Sequence, residues 1–188
     1  MAPEVKICGV KDVDTALAIY EAGADYIGLV LAKSPRQVSL GQAREITMAL
    51  PRVRFVAVVR NMDRDTLDKT LNRAPFWAVQ YHGEANFDWI RVVHEYGLKA
   101  IATQINPAAD IILMDGPEPG KGQTWEWQRP NCPQPIWIAG GLTPNNVSNV
   151  IRSLRPEGVD VSSGVETNGV KDLVKVRQFI KEAKQWQR

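Results

Sequence analysis

The most regular feature of the chain is an alternation between two hydrophobic patterns. Short runs of Val, Ile, Leu and Ala, typical of strands buried on both faces, are followed by longer stretches with apolar residues at helical spacing. We expect strands at 5–9, 26–31, 54–60, 77–81, 99–103, 111–115, 136–139 and 159–162. We expect helices at 13–22, 40–50, 64–73, 87–96, 144–154 and 171–186. This alternation is typical of βαβ units in a parallel sheet.

Eight strands in this order fit either a closed (β/α)8 barrel or an open doubly wound sheet. The dinucleotide-binding motif Gly-x-Gly-x-x-Gly, expected after the first strand of an open sheet, is missing. Glycines gather instead after predicted strands seven and eight, at Gly140, Gly141 and Gly164, where barrels commonly bind phosphate. We therefore predict an α/β fold, a (β/α)8 TIM barrel of eight parallel strands, forming a single domain over residues 1–188.

The connection between predicted strands five and six is unusually short. Only residues 104–110 separate these strands, whereas a parallel crossover normally needs a dozen residues or more. Seven extended residues reach about 23–25 Å, enough to run back along a strand of about 17 Å, but seven helical residues reach only about 10 Å. Pro107 also disfavours helix at Asn106. We expect the helix between these strands to be missing or reduced.

Without that helix, the outward faces of strands five and six need another cover. Ile112 and Met114 are the apolar residues that would otherwise meet solvent. The segment with Trp125 and Trp127, or a second subunit, would cover them, and we favour the tryptophans because they need no partner.

Composition and charge narrow the partners. The 188 residues include 23 Lys and Arg against 21 Asp and Glu, a net charge of +2, which is too small to predict binding to nucleic acid or an anionic membrane. The first residues contain no basic segment leading into an apolar stretch, so we expect a cytoplasmic protein. Two cysteines and two histidines in no ligand-like spacing predict neither disulfides nor a metal site. Small molecules are the favoured partners.

Two strand ends carry candidate acid–base groups. Lys6 and Cys8 are two apart on predicted strand one, so they share a face and enter the barrel mouth together. An ammonium near a thiol favours the thiolate, so Cys8 is a candidate base or nucleophile, the alternative being a small buried filler. Asp115 ends an apolar run where strand six reaches the carboxyl-terminal face of the barrel. It is either a catalytic group or a residue that caps the loop. A base and an acid across one mouth suit a proton-shuttling isomerase.

Two glycine-containing loops form a candidate anion site. Gly140 and Gly141 precede Thr143, which we predict as an N-cap, so unobstructed backbone N–H groups lie at a helix N-terminus. Ser163 and Gly164 form a second such loop after strand eight. Either loop alone is a weak turn signal, but both together favour a phosphate over two incidental turns.

Two further residues lie at the same predicted mouth. Arg36 follows Pro35 on a stiffened loop, and it would either pair with a ligand carboxylate or be a solvated surface residue. His82 closes predicted strand four, as a ligand contact or a hydrogen-bonded structural histidine.

Taken in order, the motifs of this chain resemble those of the phosphoribosylanthranilate isomerase family of tryptophan biosynthesis, over nearly the whole length. They are Lys-Ile-Cys-Gly at 6–9, Glu-Ala-Gly-Ala-Asp at 21–25, Lys-Ser-Pro-Arg at 33–36, Gln-Tyr-His-Gly at 80–83, Ala-Gly-Gly-Leu at 139–142 and Gly-Val-Asp-Val-Ser-Ser-Gly-Val-Glu at 158–166. The resemblance implies an Amadori rearrangement of N-(5-phosphoribosyl)anthranilate without metal or cofactor. We expect the protein to be a monomer or a homodimer.

The resemblance also implies roles for individual residues. Cys8 would be the general base and Asp115 the general acid. Arg36 would hold the anthranilate carboxylate. The remaining substrate contacts would be Lys6, His82, Gly140, Gly141, Ser163 and Gly164, with the phosphate on the glycine loops.

Two departures and two alternatives stand beside this interpretation. Gln123 occupies a position where the family has lysine, and Arg60 replaces a usually apolar residue. The related barrel isomerase of histidine biosynthesis uses aspartates as both acid and base, and Cys8 argues against it. A non-catalytic phosphosugar-binding barrel would need neither Cys8 nor Asp115.

Overall fold

The computed structural model describes residues 2–115 and 127–186. Eight parallel strands pair in chain order, and the eighth pairs with the first to close a barrel. The strands are β1 (Glu4–Cys8), β2 (Tyr26–Val30), β3 (Arg54–Arg60), β4 (Ala78–His82), β5 (Lys99–Ala102), β6 (Ile111–Met114), β7 (Ile136–Ile138) and β8 (Gly158–Val161). The predicted (β/α)8 TIM barrel is confirmed. No strand begins or ends more than one residue from its predicted position.

Helices pack around the outside of this barrel. They are α1 (Val13–Glu21), α2 (Leu40–Ala49), α3 (Arg64–Arg73), α4 (Trp89–Glu95), α5 (Val147–Leu154) and α6 (Leu173–Lys184). Local signals fix most of their starts, because Asp12, Asp63 and Asp172 each accept a backbone N–H of the first turn through the side chain. No helix in the described part of the chain has the length and apolar character to cross a bilayer.

The predicted start of α5 is wrong. We expected Thr143 as the N-cap, but the helix begins at Val147 and Asn146 is its N-cap residue. The Asn146 side chain instead closes the preceding loop: Oδ1 accepts from the Thr143 N–H at 2.8 Å, and Nδ2 donates to the Gly141 carbonyl at 2.9 Å. Thr143 and Asn146 both resemble caps in sequence, and the amide, which both donates and accepts, bridges the loop.

The connection between β5 and β6 contains no helix, as predicted. Residues 103–110 make a turn in which the Ala109 N–H donates to the Asn106 carbonyl at 3.1 Å. Asp110 anchors this turn to the barrel and to α4, because its carboxylate accepts 2.8 Å hydrogen bonds from His94, Lys99 and the Ala100 N–H. Side-chain hydrogen bonds therefore hold this connection in place without a helix.

The outward faces of β5 and β6 are covered. Ile112 is fully buried in the core between the barrel and its outer layer, and Met114 and Trp127 pack against that core. The Trp127 indole N–H donates to the Ala139 carbonyl at 3.0 Å. The described contacts of Trp127 do not decide whether it covers Ile112 and Met114, and Trp125 and Gln123 lie outside the described residues.

A small hairpin after β8 was not predicted. It pairs β9 (Glu166–Thr167) with β10 (Val170–Lys171), and Lys171 therefore lies in a strand, outside α6. Asn168 and Gly169 join the strands with positive φ angles of 53° and 76°. Asn-Gly is the preferred dipeptide for such a two-residue turn, so the sequence does contain the signal.

Candidate active site

A cavity of about 490 Å³ opens at the carboxyl ends of the strands. Most of the predicted site residues line it, namely Cys8, Arg36, His82, Asp115, Gly140, Gly141, Ser163 and Gly164. Lining residues that we did not predict include Arg60, Gln80, Asp160 and Ser162. The barrel thus brings together groups that are far apart in sequence, at the end where barrel enzymes carry their sites.

Lys6 is buried beneath this cavity and is not among its lining residues. Its Nζ lies 2.9 Å from Oδ1 of Asp160 on β8, and the Lys6 side chain is 0% exposed. A Cβ added to Gly28 of β2 would lie 2.8 Å from Cys8 Sγ and 3.1 Å from Lys6 Nζ, so glycine makes room for both groups. Direct substrate contact, the role predicted for Lys6, does not follow from this position.

The environment of Cys8 contains opposing influences on its pKa. Burial raises the pKa of the thiol, the Lys6 and Lys171 ammonium groups lower it, and the Asp160 carboxylate raises it. Lys6 therefore acts in the predicted direction, but burial prevails and the pKa is raised overall. At neutral pH Cys8 is mainly a thiol, and any base chemistry passes through a minor thiolate form.

Asp115 lines the cavity directly after β6. β7 and β8 separate β6 from β1, so Asp115 and Cys8 approach the cavity from different parts of the rim. Both groups therefore border the same cavity.

The two glycine loops contact each other. Gly140 and Gly141 have φ angles of 78° and 69°, in the left-handed region that favours glycine. A Cβ added to Gly164 would lie 1.8 Å from the Leu142 carbonyl oxygen, so no larger residue fits there. Glycine at these positions brings the loops after β7 and β8 to one wall of the cavity.

Arg36 is held in place rather than solvated. Its Nε and Nη2 donate to the two carboxylate oxygens of Glu166 at 2.7 and 2.8 Å, and its side chain is 18% exposed. The Arg36 N–H donates to Ser34 Oγ at 2.9 Å. Gly9 lies against the stem, since an added Cβ would be 2.5 Å from Arg36 Cδ. The interpretation as a surface arginine is therefore wrong.

Glu166 and Lys171 form an ion pair next to Arg36 that we did not predict from the sequence. They face each other across the β9–β10 hairpin, where Lys171 Nζ pairs with Glu166 and donates to the Ser162 carbonyl at 3.1 Å. Burial alone would raise the pKa of Glu166, but hydrogen bonds from Arg36 and Lys171 outweigh it and hold this pKa at about 2. Glu166 is therefore ionised throughout the neutral range.

His82 is a neutral group in this site. Burial, together with the positive charges of Lys6 and Arg60, lowers its pKa to about 4. His82 Nε2 lies 2.7 Å from Gln80 Nε2. His82 is thus suited to hydrogen bonding and not to acid catalysis at neutral pH. Arg60, unexplained in the sequence, acts on it as a nearby charge.

A closed (β/α)8 barrel with ionisable groups gathered at the carboxyl ends of its strands is the architecture of a barrel enzyme. The family model described as N-(5'phosphoribosyl)anthranilate (PRA) isomerase matches residues 5–182. The chain therefore belongs to the N-(5'-phosphoribosyl)anthranilate isomerase family.

Individual relatives agree with this assignment. The N-(5'-phosphoribosyl)anthranilate isomerase of Streptococcus mutans is 39% identical over 190 residues, covering 96% of this chain and 98% of the relative. A crystal structure of monomers generated from the dimeric Thermotoga maritima enzyme has a TM-score of 0.79 at 31% identity, covering 98% and 100%. An isomerase in complex with reduced 1-(o-carboxyphenylamino)-1-deoxyribulose 5-phosphate has a TM-score of 0.77 at 30% identity, with the same coverage.

The chain is thus an isomerase of tryptophan biosynthesis that acts on phosphoribosylanthranilate. This activity is the one that the motifs indicated, and it decides against the histidine-pathway isomerase and the non-catalytic barrel.

Proposed function

We propose that Cys8 is the general base and Asp115 the general acid of this isomerisation. The observation that supports the assignment is that both side chains line one cavity, at the carboxyl ends of β1 and β6. The reaction converts N-(5-phosphoribosyl)anthranilate into 1-(2-carboxyphenylamino)-1-deoxyribulose 5-phosphate, and it needs only proton transfers.

The proton transfers follow in order. Asp115, as the carboxylic acid, protonates the furanose ring oxygen; the C1–O bond breaks while the nitrogen lone pair forms C=N, giving a Schiff base. Cys8, as the thiolate, removes the C2 proton, and the electron pair moves to give an enolamine. Protonation at C1 and loss of the C2 hydroxyl proton give the ketone. Each such transfer contributes typically about 10²–10⁴-fold to the rate.

Lys6, paired with Asp160, is buried beneath the proposed base. Lys6 carries a positive charge beside Cys8, which lowers the cost of forming the thiolate in a buried site. We therefore assign Lys6 a positioning and electrostatic role in place of the substrate contact that the sequence predicted.

The remaining residues bind the substrate. The loops with Gly141 and Gly164 offer backbone groups to the phosphate, with Gly140 and Ser163 beside them in the cavity wall. Arg36 pairs with the anthranilate carboxylate, and neutral His82 offers a hydrogen bond to the ribose portion.

The partner proposed for this chain is therefore the small phosphoribosyl substrate, with no role for nucleic acid. The protein acts as a monomer or a homodimer, the two forms named for the Thermotoga maritima enzyme. Its proposed compartment is the cytoplasm.

Purified protein mixed with freshly generated phosphoribosylanthranilate tests the activity directly. We expect the substrate's fluorescence to fall faster than in buffer, and no acceleration would contradict the assignment. A ligand-bound structure with the phosphate away from Gly141 and Gly164 would contradict the proposed cradle.

Arg36→Met separates binding from proton transfer. Because Arg36 is assigned to the substrate carboxylate and takes no proton, the variant should raise KM by about 10-fold or more while kcat changes little. An unchanged KM would count against the carboxylate contact.

A further inference from the structure

Glu166 holds one edge of the Arg36 guanidinium and thereby orients the whole group. The two hydrogen bonds to Glu166 use Nε and Nη2, and no hydrogen bond to Nη1 is found among the described residues. Arg36 itself lines the cavity. A guanidinium is planar and rigid, so fixing the Nε edge also fixes the direction of Nη1.

The groups that fix this edge lie behind the cavity wall. Glu166 and Lys171 are not among its lining residues, and their side chains are 7% and 4% exposed. Their strands are in register, with Lys171 opposite Glu166, and the Lys171 ammonium also donates to the Ser162 carbonyl. Neither residue lines the cavity, but together they connect Arg36 to the hairpin and to the loop after β8.

The charges of Arg36, Glu166 and Lys171 do not cancel. The Glu166 carboxylate neutralises one positive charge, so Arg36 with Glu166 alone would form a neutral pair. Lys171 adds a second ammonium in contact with the same carboxylate, and the cluster retains a net charge of +1. A net positive cluster attracts an anion, whereas a neutral pair would do so only weakly.

We propose that Glu166 and Lys171 are positioning residues that aim Arg36 at the carboxylate of the substrate's aromatic ring, and that they thereby set the preference for a carboxylated aromatic amine. This inference rests on the proposed contact between Arg36 and that carboxylate. The alternative is that Glu166 competes with the substrate carboxylate for Arg36, in which case removing its charge would strengthen binding.

Two ligands measure the preference without catalysis. The first is reduced 1-(o-carboxyphenylamino)-1-deoxyribulose 5-phosphate, and the second is the same compound made with aniline, which lacks only the carboxylate. The ratio of their dissociation constants, measured by calorimetry, is the carboxylate preference. For the parent protein we expect a ratio of about 10- to 100-fold, as for a charged hydrogen-bonded pair.

Glu166→Gln and Lys171→Met should each reduce this ratio by about 5-fold or more, while the dissociation constant of the aniline compound stays within about 2-fold. In turnover assays the same variants should raise KM and leave kcat nearly unchanged. Lys171→Arg, which keeps the charge, should recover most of the ratio. Glu95→Gln is the matched control, because Glu95 also lies near two arginines, Arg64 and Arg91, on the outer helices.

The outcomes are distinct. Binding of the aniline compound reports an intact phosphate and sugar site, so a misfolded variant would be recognised, and Lys171→Arg then provides the second test. An unchanged or larger ratio in Glu166→Gln, with the aniline compound still bound, would overturn the positioning role. A parent ratio near one, or one that Arg36→Met leaves intact, would overturn the Arg36 contact itself and the inference with it.

Discussion

The two ends of the barrel interior are built from different chemistry. Near the amino ends of the strands, Tyr26 contacts Trp77 and Trp137 with ring centroids 4.6 and 4.9 Å apart, and the Arg54 guanidinium lies 4.1 Å from the Tyr26 ring centroid. Near the carboxyl ends, the interior holds an ionic pair, a thiol and amide groups beneath the cavity. One end is closed by aromatic packing and the other is open and charged.

This difference separates stability from chemistry within one barrel. Trp137 is nearly fully buried, and it fits because a Cβ on Gly158 would lie 2.5 Å from its indole ring. The aromatic end therefore stabilises the fold through packing. Burial at the other end raises the pKa of Cys8 and requires an ionic partner for Lys6, so it costs folding free energy.

The largest expected effect comes from the acid and base. Cys8→Ala and Asp115→Ala should each lower kcat by about 10²-fold or more, because each removes a proposed proton-transfer group. Both side chains lie at the cavity rather than in the aromatic end, so the free energy of unfolding should change by only about 1 kcal/mol. Steady-state assays and urea unfolding measure the two effects, and turnover within a few-fold of the parent would refute the role of that residue.

The opposite result is expected at the aromatic end. Trp137→Ala should lower the free energy of unfolding by about 3–5 kcal/mol, because it leaves a large cavity in the barrel. The kcat of the folded fraction should change by less than about 3-fold. The matched control is Trp137→Phe: the Trp137 Nε1 has no hydrogen-bond partner among the described residues, so losing the nitrogen costs little and a phenyl ring still fills part of the space. Equal losses for the two variants would contradict this account.

The sequence predicted one of these ends far better than the other. Lys6 and Cys8 are two apart on one strand, so their common inward face follows from strand geometry. Trp77 and Trp137 meet Tyr26 only because the barrel closes, and no spacing along the chain signals that contact. The charged end can therefore be predicted from the residue types at strand ends. The aromatic end depends on tertiary packing and cannot.

The same limit explains why Glu166 was missed as a site residue. Its partner Arg36 is 130 residues away, and Glu166 lies in a hairpin rather than at a barrel strand end. Local features were more predictable. The missing helix between β5 and β6 follows from the small number of residues that connect the two strands. The start of α5 failed because Thr143 and Asn146 are both plausible caps, and only the folded loop distinguishes them.

A smaller effect should appear in the pH dependence of the base. The ammonium of Lys6 lowers the pKa of Cys8, whereas the carboxylate of Asp160 raises it. Lys6→Met should therefore move the ascending limb of kcat/KM to higher pH by about one unit, and Asp160→Asn should move it to lower pH. Profiles extended into the alkaline range as far as the protein stays folded measure both shifts. Shifts in the same direction for the two variants would show that the Lys6–Asp160 pair acts only through structure.

The smallest effect tests whether the amino end of the barrel also depends on charge. Asp110 lies at the start of β6, and its carboxylate accepts hydrogen bonds from the Ala100 N–H, Lys99 and His94. Burial would raise the pKa of Asp110, but these hydrogen bonds outweigh it and the pKa is lowered. A carboxyl group with a lowered pKa in the folded state contributes stability above its unfolded pKa of about 4, and loses it as the pH falls through the folded value.

Asp110→Asn should therefore reduce the free energy of unfolding by about 1 kcal/mol at pH 7, and the difference should shrink as the pH falls below about 4. Activity should be unchanged, since Asp110 does not line the cavity. Urea unfolding at pH 7 and at pH 3 gives the measurement, with Glu45→Gln on the exposed surface of α2 as the control. A pH-independent loss would mean that Asp110 acts through geometry rather than charge, and that packing alone holds this end of the barrel.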